Sequence, residues 1–65
     1  MNDKIKLVSG GLVNVREAEK IAGVKKSKLY QLMEKGEIPY CKIGAARRIP
    51  KKALIEFLAR NLIVR

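Results

Sequence analysis

The chain has 65 residues, which is enough for one small domain and no more. Its 15 Lys and Arg residues against 6 Asp and Glu residues give a formal net charge of +9, and 48% of the residues are hydrophobic. A chain of this size hides only about 60% of its unfolded surface when it folds, which argues against a self-contained enzyme with a deep pocket. The hydrophobic content excludes a disordered basic tail, because such a tail lacks core-forming residues.

The composition also limits the chemistry of the chain. It has no His, and Cys41 is its single Cys, so neither a metal site, nor a cofactor, nor an internal disulfide is expected. Because no acid–base or nucleophile motif is present either, we predict that the protein is not an enzyme. Apolar runs fall far short of the roughly 20 residues of a membrane-spanning helix. The sequence therefore predicts a small cytoplasmic domain with a polyanionic partner, nucleic acid before membrane.

The first eleven residues have two interpretations. Ile5 and Leu7, with Leu12 and Val13, form short strands around a Gly-Gly turn, or residues 1–11 form a partly ordered arm. In either case we predict a boundary between this segment and a domain of residues 12–65.

A first helix is predicted over residues 15–22. Asn14 can cap its free N–H groups, and Glu17 stands at the capping-box position. Apolar residues then recur at helical spacing, and Gly23 can supply the left-handed conformation that ends the helix.

A second helix follows after a very short turn. Leu29, Leu32 and Met33 form its apolar stripe, and Gly36 closes it. Two short helices joined by a tight turn that contains glycine predict a helix-turn-helix.

The remaining residues predict a hairpin and a third helix. Residues 38–43 are typical of a strand, and Pro39 confines that strand to an edge or marks its start. Residues 44–46 are typical of a turn, and residues 47–49 can return as the second strand. Pro50 ends that strand and favours the start of a helix, while residues 63–65 either fray or pair. The predicted apolar face of the third helix is Ala53, Leu54, Phe57, Leu58 and Leu62.

The basic residues form two clusters. One lies at the start of the second helix and the other on the hairpin, where residues 38–55 contain no acidic side chain. If the hairpin packs beside the helix, the clusters form one face that can bind phosphates. A simpler interpretation is a solvated helix start, with Arg47 or Arg48 paired to Glu37 or Glu56. The candidate DNA-binding residues are Lys25, Lys26, Ser27, Lys28, Tyr30, Gln31, Lys42, Arg47 and Arg48.

Individual roles within this set differ. Gln31 should be exposed on the helix and can make a bidentate pair with adenine in the major groove. Ser27 and Lys28 lie near the helix start, where base edges or phosphates are within reach. Tyr30 either reaches a phosphate or lies against the hairpin as part of the core.

Short motifs follow one another between residues 12 and 60. They are Leu12-Val13-Asn14-Val15-Arg16-Glu17-Ala18, Gly23-Val24, Leu29-Tyr30, Gly36-Glu37-Ile38-Pro39, Ile43-Gly44, Arg48-Ile49-Pro50 and Leu54-Ile55-Glu56-Phe57-Leu58-Ala59. This series resembles the excisionase-family DNA-binding domains, which are related to the MerR-type winged helix. The resemblance implies a mainly α fold with a small β-hairpin: a winged helix-turn-helix with a two-stranded wing and a C-terminal helix.

The resemblance also implies a function. The helix over residues 25–34 would enter the major groove of duplex DNA, and the wing over residues 42–48 would contact its flank. Such proteins are recombination directionality factors that bend attachment-site DNA and steer a tyrosine integrase toward excision. The implied partners are duplex DNA, a tyrosine integrase and adjacent copies on DNA. The chain departs from the family pattern at Lys25, where a capping Ser is usual, and at the neutral wing tip Ala45-Ala46.

Two rival functions fit the same residues. One is a small prophage-type transcriptional regulator on the same fold. MerR-type regulators normally carry a long dimerising helix after the DNA-binding part, and because the sequence stops at Arg65 we do not expect a stable symmetric dimer. The other is a protein-interaction module whose basic face meets an acidic partner.

Overall fold

Helices and short strands alternate along the computed structural model, which describes residues 3–64 and, for side chains, residues 4–64. The fold is mainly α with a small antiparallel sheet, as predicted for a winged helix-turn-helix. In chain order the elements are α1 (Asp3–Val8), β1 (Leu12–Asn14), α2 (Val15–Ala22), α3 (Lys26–Glu34), β2 (Cys41–Ile43), β3 (Ala46–Pro50) and α4 (Lys51–Arg60).

Both predicted ends of α2 are confirmed. The Asn14 side chain accepts a hydrogen bond from the Glu17 backbone N–H at 2.8 Å, and the Glu17 carboxylate accepts one from the Asn14 N–H at 3.3 Å. At the other end Gly23 has a φ of 69°, and its N–H donates to the Glu19 carbonyl at 2.7 Å. Local capping chemistry therefore fixes where this helix begins and ends.

Replacing Asn14 with alanine is expected to lower the free energy of unfolding by about 1 kcal/mol, because the side-chain acceptor of the N-cap is lost. Urea denaturation followed by circular dichroism measures the change. Asn14→Ser is the matched control, since it keeps a capping oxygen and should stay within a few tenths of a kcal/mol of the parent. Equal losses in the two variants would contradict the capping role.

Helix α3 has one capped end and one open end. Its C-terminus is closed by a Schellman motif, in which the Glu37 N–H donates to the Leu32 carbonyl at 2.9 Å and the Gly36 N–H donates to the Met33 carbonyl at 3.1 Å. At the N-terminus Lys25 is the cap residue, and its side chain makes no capping hydrogen bond among the described residues. The Lys28 N–H already donates to the Lys25 carbonyl at 3.0 Å, so the first-turn N–H groups available to an anion are those of Lys26 and Ser27.

The predicted two-stranded hairpin is present as β2 and β3, and β1 adds a third strand to its sheet. The sheet has three antiparallel strands in the order β1-β3-β2, so β3 is central and the hairpin of β2 and β3 is joined to the rest of the domain. Val13 of β1 lies opposite Ile49, and Lys42 of β2 lies opposite Arg47. A strand at Leu12 and Val13 was one of the two interpretations of this region, and β1 confirms it. A segment of three residues carries too little periodicity to decide between a strand and an arm by itself.

The predicted strand over residues 38–43 is also too long. Strand β2 begins only at Cys41. Pro39 has no N–H to donate to a ladder. Ile38, 1% exposed, instead enters the core directly after the Schellman motif.

Strands at Ile5 and Leu7 are contradicted, because these residues belong to helix α1. Helix α1 packs on α4, and half-buried Leu7 lines a groove together with Lys52. The Lys52 ammonium donates to the Ser9 hydroxyl at 3.2 Å. Residues 1–2 of the segment lie outside the described residues, and the boundary between residues 1–11 and 12–65 stays a prediction.

The core lies between the helix-turn-helix, the sheet and α4. Its largest fully buried side chains are Leu29, Ile38, Ile49 and Leu54. The predicted apolar face of α4 is confirmed except at Leu62, which is 70% exposed because the helix ends at Arg60. The described residues after Asn61 form neither helix nor strand, and Arg65 lies outside the described part of the chain. Phe57 and Leu58 are half-buried and pack against the core.

Candidate nucleic-acid interface

The hairpin packs beside α3, which brings the two basic clusters together. A hydrogen-bonded ion pair joins the hairpin to the C-terminal end of α3, with Arg47 Nη2 on β3 at 3.0 Å from Glu34 Oε2. Between the hairpin and the helix-turn-helix lies an open cleft with a volume of about 500 Å³. Its lining residues are Val15, Arg16 and Glu19 of α2, Lys26 and Tyr30 of α3, and Ala45, Ala46, Arg47 and Arg48 of the hairpin.

The outer face of α3 is polar and exposed, as predicted from its apolar stripe. Leu29, Leu32 and Met33 are buried on the opposite face. The exposed residues of this region are Lys25, Lys26, Ser27, Lys28 and Gln31. Side chains at the start of this helix thus extend into solvent beside the open first-turn amides, an arrangement that attracts anions.

Tyr30 lies against the hairpin, as one of its two interpretations predicted, but it is not part of the core, and its contact with a phosphate stays a prediction. The guanidinium carbon of Arg47 is 5.0 Å from the centroid of the Tyr30 ring, within the range of a cation–π contact. The ring is still 36% exposed. Its position connects α3 to β3 at the edge of the cleft.

Arg47 is paired, but with a different acid from those expected. The sequence pointed to Glu37 or Glu56, whereas the structure pairs Arg47 with Glu34. Glu34 faces the hairpin because it lies at the C-terminal end of α3, four residues after Tyr30 and hence on the same side of the helix. The Arg47 side chain is 24% exposed.

The other predicted hairpin cations differ in exposure. Lys42 is exposed on β2, directly across the ladder from Arg47. Arg48 is half-buried, and its Nη1 lies 3.5 Å from the Arg47 carbonyl oxygen, a long hydrogen bond. Both remain candidates for phosphate contact, and Lys42 is the more accessible.

Arg16 is a basic residue of the cleft that the sequence analysis did not select. It is exposed at the start of α2 and shares the cleft with Lys26 and Arg48. In the sequence it is an isolated cation next to Glu17, so only the packing of α2 against α3 and the hairpin brings it to this surface.

Groups of metal ligands and membrane-spanning helices are both absent from the part of the chain that the structure describes. Within residues 3–64 there is no group of three or more His, Cys, Asp or Glu side chains that could hold a metal ion. Among the same residues no helix has the length and apolarity needed to cross a bilayer.

The helix-turn-helix, the hairpin that forms the wing and the basic cleft between them define a winged helix-turn-helix domain, a class that recognises duplex DNA. A family model described as "Helix-turn-helix domain" matches residues 12–62, and the chain belongs to this family. It is 43% identical over 49 residues to a protein named "Probable excisionase" from Saccharopolyspora erythraea. The predicted excisionase-family resemblance is thereby confirmed.

The match to this relative has a limited extent. It covers 75% of the present chain and 50% of the relative, so the chain spans about half the length of the curated protein it matches. No solved structure matches the chain at a significant level.

Proposed function

We propose that this domain binds duplex DNA through α3 and the hairpin and acts as an excisionase-like recombination directionality factor. The observation that carries the proposal is the joining of two basic clusters around one cleft, with Lys26 from α3 and Arg48 from β3 among its lining residues. The name of the relative, a probable excisionase, supports the recombination role.

The electrostatics of this surface favour a polyanion. Each Lys or Arg that neutralises a phosphate releases bound counterions, so binding should weaken steeply as salt rises. The open first turn of α3 adds backbone N–H donors to the charges of Lys25, Lys26 and Lys28. Phosphate contacts of this kind set the position of the protein on the duplex without reading its sequence.

Sequence reading is assigned to the exposed face of α3. Gln31 can pair with adenine in the major groove, and Ser27 and Lys28 lie closer to the helix start, where base edges and phosphates are both within reach. The tip of the hairpin carries Gly44 and Ala45, which have no charge. The hairpin therefore contacts the phosphate backbone through Lys42 and Arg48 rather than entering the minor groove deeply.

The wider role requires more than one molecule. A single domain of this size buries a modest surface on DNA, so useful affinity comes from neighbouring copies or from an integrase bound beside it. In this proposal adjacent copies stabilise a bend in attachment-site DNA, and the bent DNA directs a tyrosine integrase toward excision.

Selection of bound sites from a random duplex library at near-physiological salt tests the proposal. We expect tandem direct repeats with centres about one helical turn apart, because adjacent copies would bind head to tail on one side of the duplex. An inverted repeat would identify a dimeric transcriptional regulator instead. A library that shows no enrichment would refute sequence-specific DNA binding.

A further inference from the structure

Arg47 forms a compact cluster of side chains between α3 and the hairpin, which we call the Arg47 cluster: Arg47, Glu34, Tyr30 and Tyr40. The guanidinium carbon lies 5.0 Å from the centroid of the Tyr30 ring and 4.6 Å from that of Tyr40. One terminal nitrogen, Nη2, donates to Glu34 at 3.0 Å. The other, Nη1, is buried and has no hydrogen-bond partner among the described residues.

We propose that Arg47 is a positioning residue, which fixes the orientation of α3 relative to the hairpin and does not contact a DNA phosphate. This inference rests on the proposed DNA-binding function and would replace the sequence-based prediction that Arg47 touches DNA. Three contacts, one to Tyr40 before β2 and two to α3, hold the guanidinium within the protein.

The charges around Arg47 support this assignment. Its positive charge is already compensated by Glu34, so it adds little to the field that attracts a phosphate. To reach DNA the guanidinium would have to leave Glu34 and two aromatic rings, and these contacts favour its present position. Lys42 provides the contrast, since it lies directly opposite on β2 and is exposed.

The chemistry of arginine also fits a linking role. Its planar guanidinium can stack on aromatic rings and donate hydrogen bonds from its edge at the same time, which a lysine ammonium cannot do. Between α3 and β2 the chain runs for six residues, 35–40, that belong to neither helix nor strand. The Arg47 cluster holds the two elements together across this connection, so that the exposed face of α3 and the hairpin keep one relative orientation.

The test compares Arg47→Gln with Lys42→Gln, which removes the same charge from the neighbouring position across the ladder. The dissociation constant is measured over a series of salt concentrations for a selected duplex and for one with a single base pair changed. For Lys42→Gln we expect the plot of log association constant against log salt concentration to become less steep by about 0.9, because one phosphate contact is lost. The ratio of the affinities for the two duplexes should not change. For Arg47→Gln we expect weaker binding on the order of tenfold, an unchanged slope and reduced discrimination.

Tyr40→Leu is the second variant, and it keeps every cation in place. It should behave like Arg47→Gln, with weaker binding and reduced discrimination at an unchanged slope, and the double variant should bind no more weakly than either single one. Thermal melting shows whether each variant is folded. If Arg47→Gln is unfolded, the comparison of Tyr40→Leu with the parent tests the proposal by itself.

Three results would overturn the positioning role. The first is a salt dependence of Arg47→Gln that is weakened as much as that of Lys42→Gln. The second is an Arg47→Gln protein that binds and discriminates like the parent, and the third is a Tyr40→Leu protein that does so. A parent protein that binds no duplex would be a different failure, because it would remove the proposed function and this inference together.

Discussion

Replacing Leu54 with alanine is expected to lower the free energy of unfolding by about 2–5 kcal/mol, because the truncation leaves a cavity that the surrounding core fills only in part. Leu54 is 0% exposed on α4 and belongs to the same buried cluster as Leu29 and Ile49. A domain of this size has a total stability of roughly 5 kcal/mol. A loss at the upper end of this range would leave a large fraction of the variant molecules unfolded at 25 °C, and a loss at the lower end would still lower the melting temperature by several degrees.

Urea and thermal denaturation followed by circular dichroism measure this effect. Ile55→Ala is the matched control, since Ile55 is the next residue on α4 and is 50% exposed. It should lose much less stability, because its side chain is only partly removed from water. A Leu54→Ala protein that melts like the parent would show that the core is not built as described.

The second large effect is expected for Lys28→Glu, which should weaken binding to a selected duplex on the order of tenfold to a hundredfold. The substitution removes a cation from the exposed face of α3 and places a carboxylate near the phosphates. Stability should not fall, since Lys28 is exposed and a negative charge in the first turn of a helix is favourable. Fluorescence anisotropy with labelled duplex gives the affinity, and thermal melting gives the stability.

Lys20→Glu is the control for charge, because it makes the same change at an exposed position in the last turn of α2. If the surface around α3 binds DNA, this variant should lose much less affinity than Lys28→Glu. Equal losses in the two variants would show that only the net charge of the protein matters. Unchanged binding by Lys28→Glu would exclude Lys28 from the interface.

Both ends of α2 and the C-terminal end of α3 could be predicted because the signals that define them are local. A capping box needs Asn14 and Glu17 only three residues apart, and the left-handed conformation at Gly23 or Gly36 depends on that residue alone. The core stripe of α3 is equally local, since Leu29, Leu32 and Met33 share one face by helical spacing. These local features are sufficient to predict the helix-turn-helix from the sequence.

The sequence predicted the N-terminal elements wrongly or left them open, because they depend on distant partners. Helix α1 has six residues, too few to be stable alone, and it packs on α4 with a hydrogen bond between Ser9 and Lys52 across 43 positions. Strand β1 exists because Leu12–Asn14 pair with residues 48–50 of β3. A sequence pattern of this length contains no record of such pairings.

In the candidate site, too, the local features could be predicted from the sequence and those that depend on tertiary packing could not. Clusters of lysine on α3 and of basic residues on the hairpin are visible in the sequence, and their exposure follows from the apolar stripe. The ion pair between Arg47 and Glu34 spans 13 positions and depends on how the hairpin packs, so charge alone suggested the wrong acids. Arg16 reaches the cleft for the same tertiary reason.

The central place of β3 has a mechanical consequence for the proposed complex. Asn14 both pairs with Arg48 in the sheet and caps α2. The hairpin is therefore tied to the body of the domain and does not move independently of it. When α3 and the hairpin bind one duplex together, the DNA therefore deforms to fit the protein. Pyrimidine–purine steps are the easiest to deform, so base pairs that no side chain touches would contribute to the choice of site through their flexibility.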